Sequence, residues 1–150
     1  MIGTAVVDAS IALKWLLAEA DSADALALRP HYRFIAPDLL IAECANALWK
    51  HVQRGQLLPE EAMLAARLLE ANGVELAPTR GLAADSVRLS ISLRHPAYDC
   101  VYLALAMSEQ CPFITADATF KRKSEQLVSE LGAARVMTFG EAAAEIAAGQ

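Results

Sequence analysis

Short apolar runs alternate along this chain with longer stretches in which apolar residues recur at helical spacing. The short runs predict strands at Ile2–Val7, Arg33–Ala36, Val74–Ala77, Pro112–Thr115 and Ala134–Thr138. The periodic stretches predict helices at Ile11–Leu17, Asp38–Arg54, Leu58–Asn72, Gly81–Leu93, Ala97–Gln110, Asp117–Leu131 and Glu141–Ala148. Pro37 is expected to open the long second helix and Gly55 to stop it. This alternation is typical of an α/β fold with a mainly parallel sheet between layers of helices.

Size and composition fit one folded domain over residues 1–150. The chain is 55% hydrophobic and 21% charged, which excludes a disordered protein. It has 13 basic and 18 acidic residues and a net charge of −5, so a surface that holds nucleic acid by basic charge alone is not expected. A bound cation reverses the local charge of an acidic site, so an acidic protein can still act on nucleic acid.

The N-terminus and the cysteines indicate a cytoplasmic protein. Residues 1–4 carry no basic segment that would begin a signal peptide, and the longest apolar runs, such as Cys100–Met107, are too short to cross a membrane. Cys44, Cys100 and Cys111 show no CxxC spacing. We therefore expect them to be small buried hydrophobic residues, without disulfides or zinc. Trp15 and Trp49 are expected to pack in the core or in a dimer interface.

Two carboxylates follow predicted strands directly. Asp8 comes after the first strand, and Asp117 comes two residues after Thr115. Ligands of open parallel sheets bind outside the carboxyl ends of the strands, which makes both residues candidates for a site. Asp is also a favoured N-cap, so each of them could simply start the helix that follows.

Two further acids lie on apolar helices. Glu43 begins a narrow polar stripe that continues with Asn46 and Lys50, and a solvated outer helix face is the alternative interpretation. Asp99 falls in the first turn of the helix that starts near Ala97, where the helix dipole alone would favour an anion. A carboxylate beside apolar packing is costly unless something pairs with it.

Four converging carboxylates require a cation, because their mutual repulsion would otherwise protonate them. Oxygen ligands suit Mg²⁺ or Mn²⁺, and such an ion suggests phosphoryl chemistry. His31, His51 and His95 show no paired ligand spacing, so we interpret them as surface or satisfied residues and do not expect zinc or iron. The chain has no GxxxxGK[ST], GxGxxG or GxSxG motif.

Two rival functions stay open at this point. The nearest enzyme rival is a phosphatase or phosphotransferase of another α/β family. A haloacid-dehalogenase-like enzyme would need a second Asp two residues after Asp8, and Ser10 at that position argues against this type. A catalytically silent binding module is a rival of another class, and substitution of Asp8 by Asn distinguishes it from an enzyme.

Four motifs occur in an order known from one protein family: Val6–Ser10, Pro37–Leu48, Tyr98–Ala106 and Phe113–Phe120. With these motifs the chain resembles the PIN-domain ribonucleases, specifically the toxins of VapBC toxin–antitoxin pairs. The resemblance covers essentially the whole chain. It implies a three-layer α/β/α sandwich and metal-dependent cleavage of RNA.

The resemblance also implies roles for particular residues. Asp8, Glu43, Asp99 and Asp117 would be the catalytic quartet that holds Mg²⁺ or Mn²⁺. Ser10, Asn46 and Thr115 would occupy supporting positions. Some relatives carry a further acid at the position of Thr119, so the resemblance leaves open whether one or two ions bind. Such toxins usually form homodimers, and a VapB-like antitoxin silences them by laying its C-terminal segment along the active-site groove.

Basic residues that could contact RNA lie on three of the predicted helices. They are Lys14, Lys50, Arg54 and the run Lys121, Arg122 and Lys123. A solvated helix face is the alternative interpretation for the last three. The aromatic content of 6% predicts no platform for stacking bases.

Overall fold

A parallel sheet forms the centre of the protein in the computed structural model, which describes residues 2–149. The strands are β1 (Gly3–Val7), β2 (Tyr32–Pro37), β3 (Glu75–Ala77), β4 (Phe113–Thr115) and β5 (Val136–Thr138). Their order in the sheet is β3-β2-β1-β4-β5, and every pair of neighbours is parallel. This confirms the predicted α/β fold.

Helices connect the strands and cover the sheet. They are α1 (Ala9–Leu16), α2 (Ser22–Ala27), α3 (Leu39–Gln53), α4 (Pro59–Glu70), α5 (Ala83–Leu93), α6 (Ala97–Glu109), α7 (Ala118–Ser124), α8 (Val128–Leu131) and α9 (Phe139–Ala148). Short 3₁₀ turns lie at Arg29–His31, Glu125–Leu127 and Gly132–Ala134. Among residues 2–149, no helix is both long and apolar enough to span a bilayer.

The sheet separates two apolar clusters because successive side chains of a strand point to opposite faces. Val6 of β1 and Phe113 of β4 belong to the larger cluster, which packs against α3, α4, α5 and α6. Val7 and Ile114, the next residues along the same strands, belong to the smaller cluster with Ala142 of α9. The result is three layers, with the sheet in the middle.

Three local predictions were wrong. Pro37 does not open α3; it ends β2 and pairs with Ala77, and Asp38 donates its N–H to the Ala77 carbonyl at 2.8 Å. The chain between the first two strands carries α2, which is too short for a clear periodic signal. The predicted helix 117–131 is broken after Ser124, whose hydroxyl donates to the Lys121 carbonyl, a bond that bends helices.

Candidate metal centre

Asp8 and Asp117 both lie at the carboxyl edge of the sheet, and both cap helices. Asp8 Oδ1 accepts the Ile11 N–H at 3.3 Å at the start of α1, and Asp117 Oδ1 accepts the Phe120 N–H at 3.0 Å at the start of α7. The N-cap interpretation is therefore correct for both. It does not compete with a site, because parallel strands end at the same edge of the sheet and bring the two caps together.

Two hydroxyl groups hold the Asp8 carboxylate. Ser10 Oγ donates to Oδ1 at 2.5 Å, and Thr115 Oγ1 donates to Oδ2 at 2.6 Å. Ser10 Oγ also accepts the Ala116 N–H at 3.1 Å. Asp8 is only 6% exposed, and burial raises its pKa to about 6; the two hydroxyl donors oppose this shift and the charge of Asp99 adds to it. Asp8 is thus a carboxylate that a bound cation would favour in its charged form.

Glu43 projects from α3 and is half-buried. The buried hydroxyl of Tyr102 donates to Glu43 Oε1 at 2.5 Å across 59 positions of sequence. Burial is the main cause that raises the pKa of Glu43; the Tyr102 donor lowers it and the charge of Asp99 raises it further. Sequence analysis missed Tyr102 as a partner of Glu43. The available signal was its position in the buried stripe of α6, where a phenol needs a hydrogen-bond partner.

Asp99 connects the other acids. It lies in the first turn of α6, and its charge raises the pKa of both Asp8 and Glu43. One ligand atom from each of Asp99, Asp117 and His95 lies within 4.8 Å of the other two. Asp8, Glu43, Asp99 and Asp117, here called the acidic cluster, therefore converge on one place, although 109 positions separate the first from the last in sequence.

His95, interpreted from the sequence as a surface or satisfied residue, is a satisfied one, and it lies against the acidic cluster. Its Nε2 lies 2.5 Å from Asp99 Oδ2, and its side chain is only 10% exposed. The three histidines show no paired ligand spacing, so that pattern did not point to His95. The relevant signal was instead a His four residues before an Asp, a spacing at which the turn before α6 places both side chains together.

The acidic cluster has the donor set of a hard divalent cation. Within residues 2–149, no Lys or Arg forms an ion pair with any of its four carboxylates. The hydroxyls of Ser10, Thr115 and Tyr102 are neutral groups that donate hydrogen bonds to Asp8 and Glu43 and leave the negative charge of the cluster in place. Carboxylate oxygens without basic partners fit Mg²⁺ or Mn²⁺ better than a structural ion-pair network.

The remaining candidates lie around this centre. Asn46 and Lys50 are exposed on α3, as a solvated face predicts, whereas Glu43 of the same stripe turns inward. Lys14 forms ion pairs with Glu19 at 2.9 Å and Asp21 at 2.8 Å and is not free for another anion.

The other basic candidates differ in whether an acidic side chain pairs with them. Lys121 approaches Glu125 at 3.3 Å. Lys50, Arg54 and Arg122 are exposed and, in the part of the chain that the structure describes, form no ion pair.

The cysteines are buried and free, as predicted. Burial raises the pKa of Cys44 to about 12 and that of Cys100 to about 11, so neither is a nucleophile at neutral pH although both neighbour the acidic cluster. Trp15 packs against both apolar clusters and donates its indole N–H to the Ala25 carbonyl at 2.8 Å. Trp49 is 57% exposed, so it is not a core residue of the chain.

Comparison with known proteins agrees with the fold. A solved structure, that of PAE2754 from Pyrobaculum aerophilum, superposes with a TM-score of 0.71 and 20% sequence identity, over 99% of this chain and 98% of that one. At this identity the likeness shows the fold alone. No curated protein matches the chain. The PIN domain family matches residues 5–126, which include all four carboxylates of the acidic cluster. The chain therefore belongs to the PIN domain family, whose members are typically metal-dependent nucleases.

Proposed function

We propose that this protein is a metal-dependent endoribonuclease that acts as a VapC-type toxin of a toxin–antitoxin pair. One observation carries the enzymatic part: Asp99 lies close to Asp8, Glu43 and Asp117, and no Lys or Arg of residues 2–149 forms an ion pair with any of these four carboxylates. The membership of the PIN family supports the nuclease class. The four motifs of the VapC toxins, found in order along the chain, support the toxin role.

Asp8, Asp99 and Asp117 are the residues that would hold Mg²⁺ or Mn²⁺. When bound there, the ion lowers the pKa of a water molecule and stabilises negative charge on a phosphate. Ser10 and Thr115 orient Asp8 through both of its carboxylate oxygens. This arrangement leaves Asp8 few other rotamers, so little side-chain entropy is lost when a cation binds.

Glu43 is the residue we assign as general base. Burial raises the pKa of Glu43 toward neutral pH. A general base is most effective when its pKa lies near the working pH. The Tyr102 hydroxyl fixes one oxygen, Oε1, and so leaves Oε2 to take a proton from water. We assign Asp117 to the metal ligands instead; its Oδ1 accepts the N–H of Phe120. Hydrolysis by water attack in line with the leaving oxygen leaves a 5′-phosphate and a 3′-hydroxyl.

The RNA backbone would bind along α3, where basic side chains follow Glu43. Lys50 and Arg54 lie seven and eleven residues after Glu43, which places them on the same face of the helix, roughly 10 and 16 Å away along its axis. Arg122 on α7 supplies a free guanidinium on the side of Asp117, and Lys121 lies next to it. We exclude Lys14 from this set, because Glu19 and Asp21 lie 2.9 and 2.8 Å from its ammonium, whereas the contacts of Lys121 with Glu125 and Glu141 are longer, at 3.3 and 4.0 Å.

We propose a separate surface region for each of the two partners of such a toxin. A groove of about 630 Å³ lies between the end of α1, the end of α3 and α4, and its wall includes the exposed side chains of Leu64 and Leu68. We propose that an antitoxin segment docks there and continues toward the acidic cluster. Val87 and Ile91, one turn apart on α5, are 55% and 73% exposed and would serve a homodimer. We further propose one cytoplasmic domain over residues 1–150.

Cleavage of total cellular RNA by the purified full chain tests the enzymatic proposal. We expect discrete products with 5′-phosphate ends in Mg²⁺ or Mn²⁺ and none in EDTA. Asp99→Asn should abolish them, whereas Asp24→Asn, a change of an exposed Asp on α2, should not. A folded wild-type protein that binds the ion and cuts no RNA would contradict the enzyme and favour the silent binding module.

Expression in cells tests the toxin role. We expect the wild-type chain to arrest growth, Asp99→Asn to relieve the arrest, and co-expression of the small protein encoded beside it to restore growth. If Leu64→Glu with Leu68→Glu keeps the arrest but prevents that rescue, the groove is the docking place. Rescue that is unaffected by both substitutions would contradict it.

A further inference from the structure

His95 lies in the turn before α6, and its two ring nitrogens, its ring face and its backbone all make contacts. Its Nε2 contacts Asp99 Oδ2 at 2.5 Å, and its Nδ1 contacts Lys123 Nζ at 3.2 Å. Its ring packs on that of Phe120, with the centroids 4.8 Å apart. Its backbone N–H donates to the Ser90 carbonyl at 3.2 Å, and the Ser90 hydroxyl donates to the His95 carbonyl. A solvated histidine in a turn would need none of these contacts.

The chemistry of Lys123 determines which ring nitrogen carries the hydrogen. A lysine ammonium has three N–H donors and no acceptor, so His95 Nδ1 must accept from it. The hydrogen of the neutral ring is then on Nε2, which donates it to Asp99 Oδ2. A nitrogen that carries a hydrogen cannot bind a metal ion. His95 therefore belongs to the surroundings of Asp99 and not to the metal ligands.

The position of Lys123 is fixed as well. Its Nζ also donates to the Arg94 carbonyl at 3.1 Å. Arg94 ends α5 in the left-handed conformation, with φ of 51°, which orients its carbonyl in the turn between α5 and α6. Lys123 lies on α7, the helix that Asp117 caps. The chain of contacts from Lys123 to Asp99 thus ties the helix of Asp117 to the helix of Asp99.

We propose that Lys123 and His95 form a relay that positions Asp99 for metal binding. Lys123 donates to His95 Nδ1, and His95 donates from Nε2 to one oxygen of Asp99, so that the other oxygen is presented to the ion. Neither residue touches the metal or the RNA, and both are positioning residues. The role of the relay rests on the proposed metal-dependent function. The relay also gives Lys123 a role that differs from that of its neighbours Lys121 and Arg122, which we propose as RNA-binding residues.

The tautomer of His95 is the first test, and it needs no activity. In ¹⁵N NMR of the metal-free full chain, at a pH where the ring is neutral, we expect Nδ1 of His95 to appear as an unprotonated acceptor and Nε2 as the protonated nitrogen. We expect the same pattern after Mg²⁺ is added, because the relay stays in place. The opposite tautomer, or a change of tautomer on addition of Mg²⁺, would overturn the relay.

Mn²⁺ affinity, measured by calorimetry, is the second test. Removal of an outer partner of a ligand typically costs 10–100-fold in metal affinity, so we expect His95→Ala to weaken Mn²⁺ binding about tenfold or more. His95→Gln keeps an N–H donor at about the position of Nε2 and should recover most of the loss. Lys123→Met should weaken binding in the same direction as His95→Ala, and His51→Ala, which changes a half-buried His elsewhere on α3, should have no effect.

The outcomes separate the relay from the function on which it rests. A wild-type protein that binds no divalent ion contradicts the proposed metal-dependent function. Normal wild-type affinity that His95→Ala leaves unchanged contradicts the relay alone. A nitrogen coupled to Mn²⁺ in the electron-spin-echo spectrum of the wild type and lost in His95→Gln would show His95 to be a ligand, which also overturns the relay.

Discussion

Thr115 donates its hydroxyl hydrogen to Asp8 Oδ2 at 2.6 Å, across 107 positions of sequence. The same Oγ1 accepts the backbone N–H of Asp117 at 3.1 Å. Thr115 ends β4 and Asp8 follows β1, and these strands are neighbours in the sheet. One hydroxyl thus holds two members of the acidic cluster at once, and it is itself buried.

Thr115→Val tests the importance of that hydroxyl, since valine keeps the shape of the side chain. We expect the free energy of unfolding to fall by about 1–3 kcal/mol, because a buried carboxylate loses a donor and an N–H loses its acceptor. Denaturant titration in EDTA measures this. Thr115→Ser keeps the hydroxyl and should lose much less. Thr119→Val, an exposed change on α7, should be close to neutral, and equal losses for valine and serine at position 115 would contradict the expected role.

Asp8 makes the metal-free protein less stable as the pH rises. Its folded pKa of about 6 lies above its ordinary value of 3.8, so the folded protein binds the proton more tightly than the unfolded chain does. The stabilisation is complete below about pH 4 and is lost as the pH rises through 6. A shift of this size corresponds to about 3 kcal/mol.

The Asp8→Asn variant checks this sign. In EDTA at pH 7 we expect it to be more stable than the wild type, and the difference between the two should vanish toward pH 4. Divalent ions should stabilise the wild type at neutral pH but not the variant. A variant that is less stable than the wild type at pH 7 without metal would show that hydrogen bonds of Asp8, and not its charge, dominate.

Tyr102→Phe removes the donor to Glu43 without opening a cavity. Since that hydrogen bond lowers the pKa of Glu43, its loss should raise this pKa further. A general base works above its pKa, so the acidic limb of the cleavage rate should move to higher pH, with a fall in rate of about tenfold or more. The pH profile of RNA cleavage measures both. Tyr98→Phe, a change of an exposed Tyr on the same helix, is the matched control and should leave the profile in place.

The ring of Phe113 packs against two aromatic side chains near the acidic cluster, those of Tyr102 and Phe120. Its ring stacks on that of Tyr102 with the centroids 5.8 Å apart and meets that of Phe120 edge-on at 5.9 Å. Phe113→Ala should lower the free energy of unfolding by about 3–5 kcal/mol, because it leaves a cavity in a fully buried place. Denaturant midpoints give the value. Val128→Ala, an exposed apolar change, should stay within about 0.5 kcal/mol of wild type.

Sequence alone determined the class of the fold and the acidic residues of the centre. Strand and helix patterns have periods of two and 3.6 residues, so they can be read locally, and Asp8 and Asp117 stand where a strand gives way to a helix cap. The fold class then implies that such positions share one edge of the sheet. Glu43 and Asp99 were noticeable because carboxylates are costly on apolar helices.

Only the tertiary structure decided which groups hold these carboxylates. The strand order β3-β2-β1-β4-β5 places Thr115 against Asp8, and the larger apolar cluster, to which α3 and α6 both contribute, brings Tyr102 to Glu43. Likewise, Lys123 contacts His95 because α7 lies beside the turn that precedes α6. Such contacts depend on how distant elements pack, and local spacing carries no information about it. The residues that position the carboxylates through hydrogen bonds therefore cannot be identified from the sequence, even where the carboxylates themselves can.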